Sequence, residues 1–252
     1  MPKILVTNDD GIRSAGLEAL AGALEAIGDV IAVAPLMEAS AVGHALTLRH
    51  PLRLEQLAAN RYSVDGTPTD CVNVAVSKVL RGRPDLVVSG INKGANLGDD
   101  VTYSGTVAGA MEGALLGVPS LAVSLERRSD EFDFTQAAAA AVELATALLT
   151  NPLPSRTFLN VNVPHGRVKG LRVTVQGRRK HVTSVAEARD PRGQPYFWIE
   201  EGQTRWEELA RSDHHAVADG WVSVTPLSPD LTDHAALPLA EALSLGREAG
   251  VK

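Results

Sequence analysis

Lys3-Ile4-Leu5-Val6-Thr7 runs directly into Asn8-Asp9-Asp10-Gly11, and this junction decides the fold. A short aliphatic run ended by turn-forming polar residues describes a buried strand entering a loop. Beyond the loop, Leu17, Leu20, Ala21, Leu24 and Ile27 recur at helical spacing, which predicts a helix over Leu17 to Ile27. Val30 to Ala34 (VIAVA) is a second buried strand, stopped by Pro35. Strand, helix and strand within about 35 residues make a βαβ unit, whose crossover is right-handed.

The same alternation continues outward. Thr67 to Leu80 opens with the helix-start signal Thr-Pro-Thr-Asp, and Asp85 to Ser89 (DLVVS) is the next buried strand. Thr106 to Leu116 is an Ala- and Gly-rich helix, Ser120 to Ser124 a strand, Phe134 to Leu149 an Ala-rich helix, and Phe158 to Val163 (FLNVNV) a strand ending at Pro164. This order predicts an α/β fold: a Rossmann-like, mostly parallel sheet with helices on both faces, spanning residues 1–164. After Pro164 the texture changes. Leu171 to Gln176 and Tyr196 to Glu200 read as strands separated by the charged stretch Gly177 to Gln194, which suits a projecting β-hairpin arm. Trp221 to Pro226 returns as a strand and Leu237 to Leu245 closes as a terminal helix. No repeat or low-complexity linker interrupts the chain. Residues 1–252 therefore read as one domain, with a core over 1–164 and a projecting arm plus returning elements over 165–252.

Composition narrows the function. With 44% hydrophobic and 21% charged residues and a mean hydropathy near zero, the chain is globular rather than disordered. No apolar run reaches the roughly 18 to 20 residues that span a bilayer, and no signal-peptide pattern opens the chain, so a cytoplasmic protein without a membrane partner is expected. The lone Cys71 cannot form an intramolecular disulfide and reads as structural. A net charge of -6 argues against a nucleic-acid polymer as partner. An acidic protein that handles an anion needs a local positive centre, and a metal ion can supply it.

Ligands of open α/β sheets bind beyond the carboxyl ends of the strands. Asp9 and Asp10 follow the first strand, Ser40 follows the second, and Asn92 follows DLVVS through Gly90-Ile91. Carboxylate, hydroxyl and amide oxygens form a hard donor set suited to Mg²⁺, Mn²⁺ or Ca²⁺. Asn-Asp-Asp-Gly is equally a good turn, so residue chemistry leaves both readings open. Ser104-Gly105-Thr106, at the start of a helix, can present N–H and hydroxyl donors to an anion, or can simply cap the helix. Gly90 to Asp100 is glycine-rich, but no Gly-Lys-Ser/Thr closes it and no G-x-G-x-x-G follows the first strand, which disfavours triphosphate and dinucleotide ligands. His44, the pair His214 and His215, and Arg178 to His181 have ordinary loop readings beside any functional one.

Taken in order, these segments resemble the SurE family, the stationary-phase survival proteins that are 5'/3'-nucleotidases. The resemblance rests on Val6 to Gly11, Ala34-Pro35 with Ser40 and Gly43-His44, Gly66 to Cys71, Ser89-Gly90-Ile91-Asn92 with Gly94 and Asn96, Tyr103 to Val107, Asn160 to Pro164, and Val222 to Leu227. It implies that Asp9, Asp10, Ser40 and Asn92 bind one divalent cation per subunit, Mg²⁺ or Mn²⁺, with Ca²⁺ able to substitute. It also implies that Ser104, Gly105 and Thr106 contact phosphate with help from Asn96, and that Asp9 and Asp10 are catalytic. The implied reaction is hydrolysis of nucleoside 5'-monophosphates, with 3'-monophosphates and short polyphosphate as further substrates. The implied assembly is a homodimer or homotetramer through exchanged C-terminal elements. A non-catalytic nucleotide or phosphate sensor, or an oligomer that uses Ca²⁺ only for stability, would share many of these features.

Overall fold

The computed structural model describes residues 1–180, 184–200 and 205–243. In chain order its first part comprises β1 (Lys3–Thr7), α1 (Ala15–Leu24), β2 (Asp29–Pro35), β3 (Leu54–Ala58), β4 (Arg61–Val64), α2 (Pro68–Val74), β5 (Leu86–Lys93), α3 (Gly105–Leu115), β6 (Ser120–Leu125), α4 (Thr135–Thr150) and β7 (Phe158–Val163). β8 (Leu171–Val173), β9 (Arg179–Lys180), β10 (Ser184–Arg189), β11 (Pro195–Glu200), β12 (Arg205–Trp206), α5 (Asp213–Ala218), β13 (Val222–Leu227) and α6 (Leu237–Ala242) follow. The large sheet has the order β3-β4-β2-β1-β5-β6-β7-β13-β8. β4, β2, β1, β5, β6 and β7 run parallel, while β13 lies antiparallel to β7 and parallel to β8.

Alternation along β1 explains the two layers. Ile4 and Val6 face a cluster with Leu17 and Leu20 of α1 and Ala141 of α4. Leu5 faces the opposite way, into a cluster with Val72 of α2, and α3 covers Ala122 and Phe158 on that same face with Val107 and Ala110. Both faces of the strand are thus buried, as its unbroken aliphatic run requires. α3 lies unusually close to the sheet because it carries Gly109, where a Cβ would stand 2.8 Å from Ser89 Oγ and 2.9 Å from Thr7 Cγ2. That contact sets the helix N-terminus beside the end of β1.

The helix over Thr67 to Leu80 is divided: α2 is capped by Thr67 with a reciprocal Asp70 bond, then widens into a π-helical turn at Ala75–Val79. The arm also differs in detail from the sequence reading. β11 pairs with β10, which lies inside the charged stretch, rather than with the strand that begins at Leu171. That strand closes after Val173 and joins the large sheet beside β13. His181, within the basic run, and Ser244 and Leu245, at the end of the expected terminal helix, lie outside the described residues. Among the described residues no helix is long and apolar enough to cross a membrane.

Candidate metal and phosphate site at the end of β1

β1 lies between β2 and β5, so the chain leaves it on one side and returns on the other. The crevice at its carboxyl end is the switch point where such sheets bind ligands, and Asn8, Asp9 and Asp10 occupy it. Asn8 is fully buried and builds the turn: its Nδ2 donates to Gly11 O (3.1 Å) and to Ser14 Oγ (2.7 Å). Ser14 Oγ in turn accepts from Leu17 N (3.2 Å) as the cap of α1. One buried amide therefore ties the loop to the following helix.

Asp9 is only 5% exposed. Its carboxylate accepts two hydrogen bonds from Thr106, one from the backbone N–H (3.0 Å) and one from the hydroxyl. This contact joins residues 97 apart in sequence and fixes the β1 loop to the first turn of α3. Gly105 permits it, because a Cβ there would lie 2.8 Å from Asp9 Cβ and 3.0 Å from Asp9 Oδ2. Ser104 caps α3, its Oγ accepting from Val107 N (3.1 Å), which leaves its hydroxyl hydrogen to donate elsewhere.

Burial pushes the Asp9 carboxyl above the usual carboxylate range, and the Thr106 hydrogen bonds offset only part of this. Asp10 is also raised, by burial and then by the negative charge of Asp9, with Lys93 pulling the other way. Asp10 Oδ2 is buried with no hydrogen-bond partner among the described residues. Two adjacent carboxylates, Asp9 buried and Asp10 half-buried with an unpartnered oxygen, are costly as they stand. A divalent cation would meet that oxygen and neutralise both charges, so the donor set fits a hard metal ion.

The remaining expected residues differ in how they stand. Ala39 N donates to Asp9 O (2.8 Å), which places Ser40 one residue from a direct contact with the Asp9 turn. Ser40 itself is exposed and donates to Glu38 Oε1 (2.7 Å). Asn92, next to last in β5, has its Nδ2 on Gly94 O (2.9 Å), leaving the amide oxygen as its remaining ligand atom. Asn96 is buried and its Nδ2 donates to Ser124 Oγ (2.7 Å) on β6. Its backbone is clamped by β7: Asn162 Oδ1 accepts from Asn96 N (2.7 Å), while Asn160 and Asn162 Nδ2 both donate to Asn96 O (2.8 and 3.0 Å).

Asn160 and Asn162 were visible in the sequence only as polar interruptions of a buried strand. That pattern is itself a signal, since two amides in a central strand require partners. A second group not assigned a role from sequence is Glu112 of α3, which is buried and accepts from Asn73 Nδ2 (2.7 Å) and meets His44 Nε2 (2.7 Å). Burial raises the Glu112 carboxyl, but the bonds from His44 and Asn73 outweigh it and hold the group below its ordinary range. With Gly43 N on Tyr103 O (2.9 Å), this pair docks the Ser40 loop on the same helix that holds Asp9.

The chain is similar to known proteins over most of its length. The family model "Survival protein SurE" matches residues 4–183. A 5'-nucleotidase SurE from Syntrophotalea carbinolica is 54% identical over 233 residues, covering 91% of this chain and 92% of the relative. One from Geotalea daltonii is 52% identical, covering 92% and 95%. The crystal structure of the SurE protein from Aquifex aeolicus superposes with a TM-score of 0.86 at 43% identity, covering 96% of this chain and all of that one. With the family model and these relatives agreeing over most of the chain, the protein belongs to the SurE family.

Proposed function

We propose that the protein is a metal-dependent phosphomonoesterase that hydrolyses nucleoside 5'-monophosphates to nucleoside and phosphate, a 5'-nucleotidase. The observation that carries this reading is the Asp9–Asp10 pair at the switch point, with Asp9 locked by Thr106 and Asp10 Oδ2 buried without a partner. The names of relatives at about half identity over most of the chain support the substrate class. Asp9, Asp10, Ser40 and Asn92 would hold the cation, two charged and two neutral oxygen ligands. When bound, a divalent ion stabilises charge on a phosphoryl group and acidifies water.

The chain's own groups do the positioning. Thr106 fixes the Asp9 carboxylate, which keeps its charge at a defined place rather than free to rotate. Ser104 Oγ–H and the Gly105 N–H, at the open end of α3, hold phosphoryl oxygens, and the helix dipole adds about 0.3–2 kcal/mol for an anion there. That contribution is small against the barrier to phosphate monoester hydrolysis, so the helix orients the substrate and does not drive the reaction alone. Asn96, clamped by β7, supports the loop that leads from Asn92 to Ser104.

Phosphate release from a panel of 5'- and 3'-mononucleotides, with and without chelator, tests the assignment. Metal-dependent release from 5'-mononucleotides is expected. Nucleotide binding without release would make the protein a sensor instead.

The hairpin β10–β11 exposes Phe197, Trp198 and Ile199, an apolar surface on a two-stranded sheet that lacks a core of its own. Such a hairpin is marginal alone, so we propose that it packs against a second copy in a homodimer or homotetramer. Deleting residues 184–200 is expected to lower the mass measured by light scattering while the large sheet stays folded. An unchanged mass in a folded deletion variant would contradict this.

A further inference from the structure

Glu112 is a buried carboxylate that the proposed reaction does not use. It lies about two turns past Gly105 in α3 and is 7% exposed, a depth that glutamate reaches only when paired. Its Oε1 accepts from Asn73 Nδ2 of α2 and its Oε2 meets His44 Nε2, both at 2.7 Å. A carboxyl held below its ordinary range is ionised and only accepts, so His44 is the donor. Well-packed apolar residues usually stabilise a contact at least as well as a buried ion pair. Stability alone does not account for a carboxylate here. What the pair does distinctly is to fix the position of His44.

His44 closes a span of chain that starts at the Asp9 turn. At one end Ala39 N donates to Asp9 O (2.8 Å); at the other Gly43 N donates to Tyr103 O (2.9 Å), and His44 reaches Glu112. Ser40, Ala41 and Val42 lie between these anchors. Ala41 has a φ of 55°, a left-handed conformation that a residue with a Cβ keeps only where the surrounding chain holds it. Further along, Thr67 Oγ1 donates to Ala45 O (2.7 Å) and Asp70 Oδ1 accepts from Thr47 N (2.9 Å), but these contacts fall beyond the span. Of the bonds that close it at the far end, only the one to Glu112 has a charged acceptor. Charge-assisted hydrogen bonds are roughly twice as strong as neutral ones.

We propose that the His44–Glu112 contact is a latch for the cation site, holding the span that carries Ser40 against α3, so that the Ser40 hydroxyl stands at the ion bound by Asp9 and Asp10. His44 and Glu112 are positioning residues that act through Ser40 and not by contact with the ion. The proposal rests on the metal-dependent reading and adds to it which residues outside the ligand set tune the affinity for the cation.

The test is calorimetric titration of Mn²⁺ into metal-stripped wild type, His44→Ala, His44→Gln, Ser40→Ala and the double variant Ser40→Ala/His44→Ala, with melting temperatures measured on the same proteins. The His44 side chain is 30% exposed, so its replacement should leave the fold intact. His44→Ala is expected to bind Mn²⁺ about tenfold more weakly, the lower end of the scale for a group that orients a metal ligand from behind. His44→Gln should recover most of that affinity, because its amide can still donate to Glu112. In the Ser40→Ala background the loss of His44 should have no further effect on the affinity, since residues acting through one another are not additive. A merely structural role would lower the melting temperature in both backgrounds and leave Mn²⁺ affinity unchanged. Unchanged affinity in His44→Ala, an equal loss in both backgrounds, or a loss as large in His44→Gln as in His44→Ala overturns the latch and leaves the metal reading standing. Wild-type protein that binds no Mn²⁺ is a distinct outcome, which overturns the metal reading and the latch with it.

Discussion

Asp9→Asn and Asp10→Asn are each expected to lower phosphate release by at least about 10²–10³-fold, the scale of removing one preorganised electrostatic contact to a transition state. The fold should survive both changes. Asp10 has a buried, unpartnered Oδ2 and a carboxyl raised by burial and by Asp9, so without metal it is a liability to stability. In chelator, Asp10→Asn should therefore melt no lower than the wild type, a trade of function against stability. Asp9→Asn keeps an oxygen for only one of the two Thr106 donors, turns an NH2 toward the other, and loses the charge that strengthens those bonds. It should melt slightly lower. Ser40→Ala should act more mildly, since water can replace a neutral ligand. Near-normal turnover of both aspartate variants at saturating metal would remove the pair from the site.

Gly105→Ala is expected to reduce turnover about 10²-fold, because an ångström of misplacement at reacting groups has effects of that size. The added methyl would meet Asp9 Cβ at 2.8 Å, Asp9 Oδ2 at 3.0 Å and Pro68 Cγ at 3.2 Å, so Asp9 must move. Gly105 is the first residue of α3, where the helix-interior preference for alanine does not apply in full, so the clash should lower the melting temperature as well. Ser104→Ala gives the contrast. It removes the cap on Val107 N, a loss of about 0.5–2 kcal/mol, and is expected to weaken inhibition by phosphate or vanadate as well. Unaltered oxyanion inhibition in Ser104→Ala would make that residue a cap only, and full turnover in Gly105→Ala would show that Asp9 need not be held where it is.

What could be read from the sequence follows from how each element is buried. β1, β2, β5, β6 and β7 are aliphatic runs covered on both faces or nearly so, and their order was legible with boundaries within a few residues. β3 was not, because Leu54–Ala58 is exposed along its whole length and carries no alternation to detect. β10 hid within a charged stretch for a similar reason, since the hairpin buries neither face. The six-residue α5 is too short for helical periodicity. At the site, adjacent acids and a Ser-Gly-Thr helix start were visible as residue types. The double hydrogen bond from Thr106 to Asp9 was not, because it depends on α3 lying flush on β1 and β5 through Gly109. The β7 asparagines became interpretable only when their partner, the Asn96 backbone, was placed across the sheet end.

The most direct measurement is Mn²⁺ binding followed by calorimetry on metal-stripped protein, with wild type, Asp9→Asn and Asp10→Asn titrated alongside a phosphate-release assay of the same samples. One ion per chain is expected in the wild type, with turnover rising in proportion to its occupancy, and binding should be weakened at least about tenfold in each variant. Full-strength binding of the ion in both variants, or phosphate release from wild-type protein that holds none, would contradict a metal centre at Asp9 and Asp10.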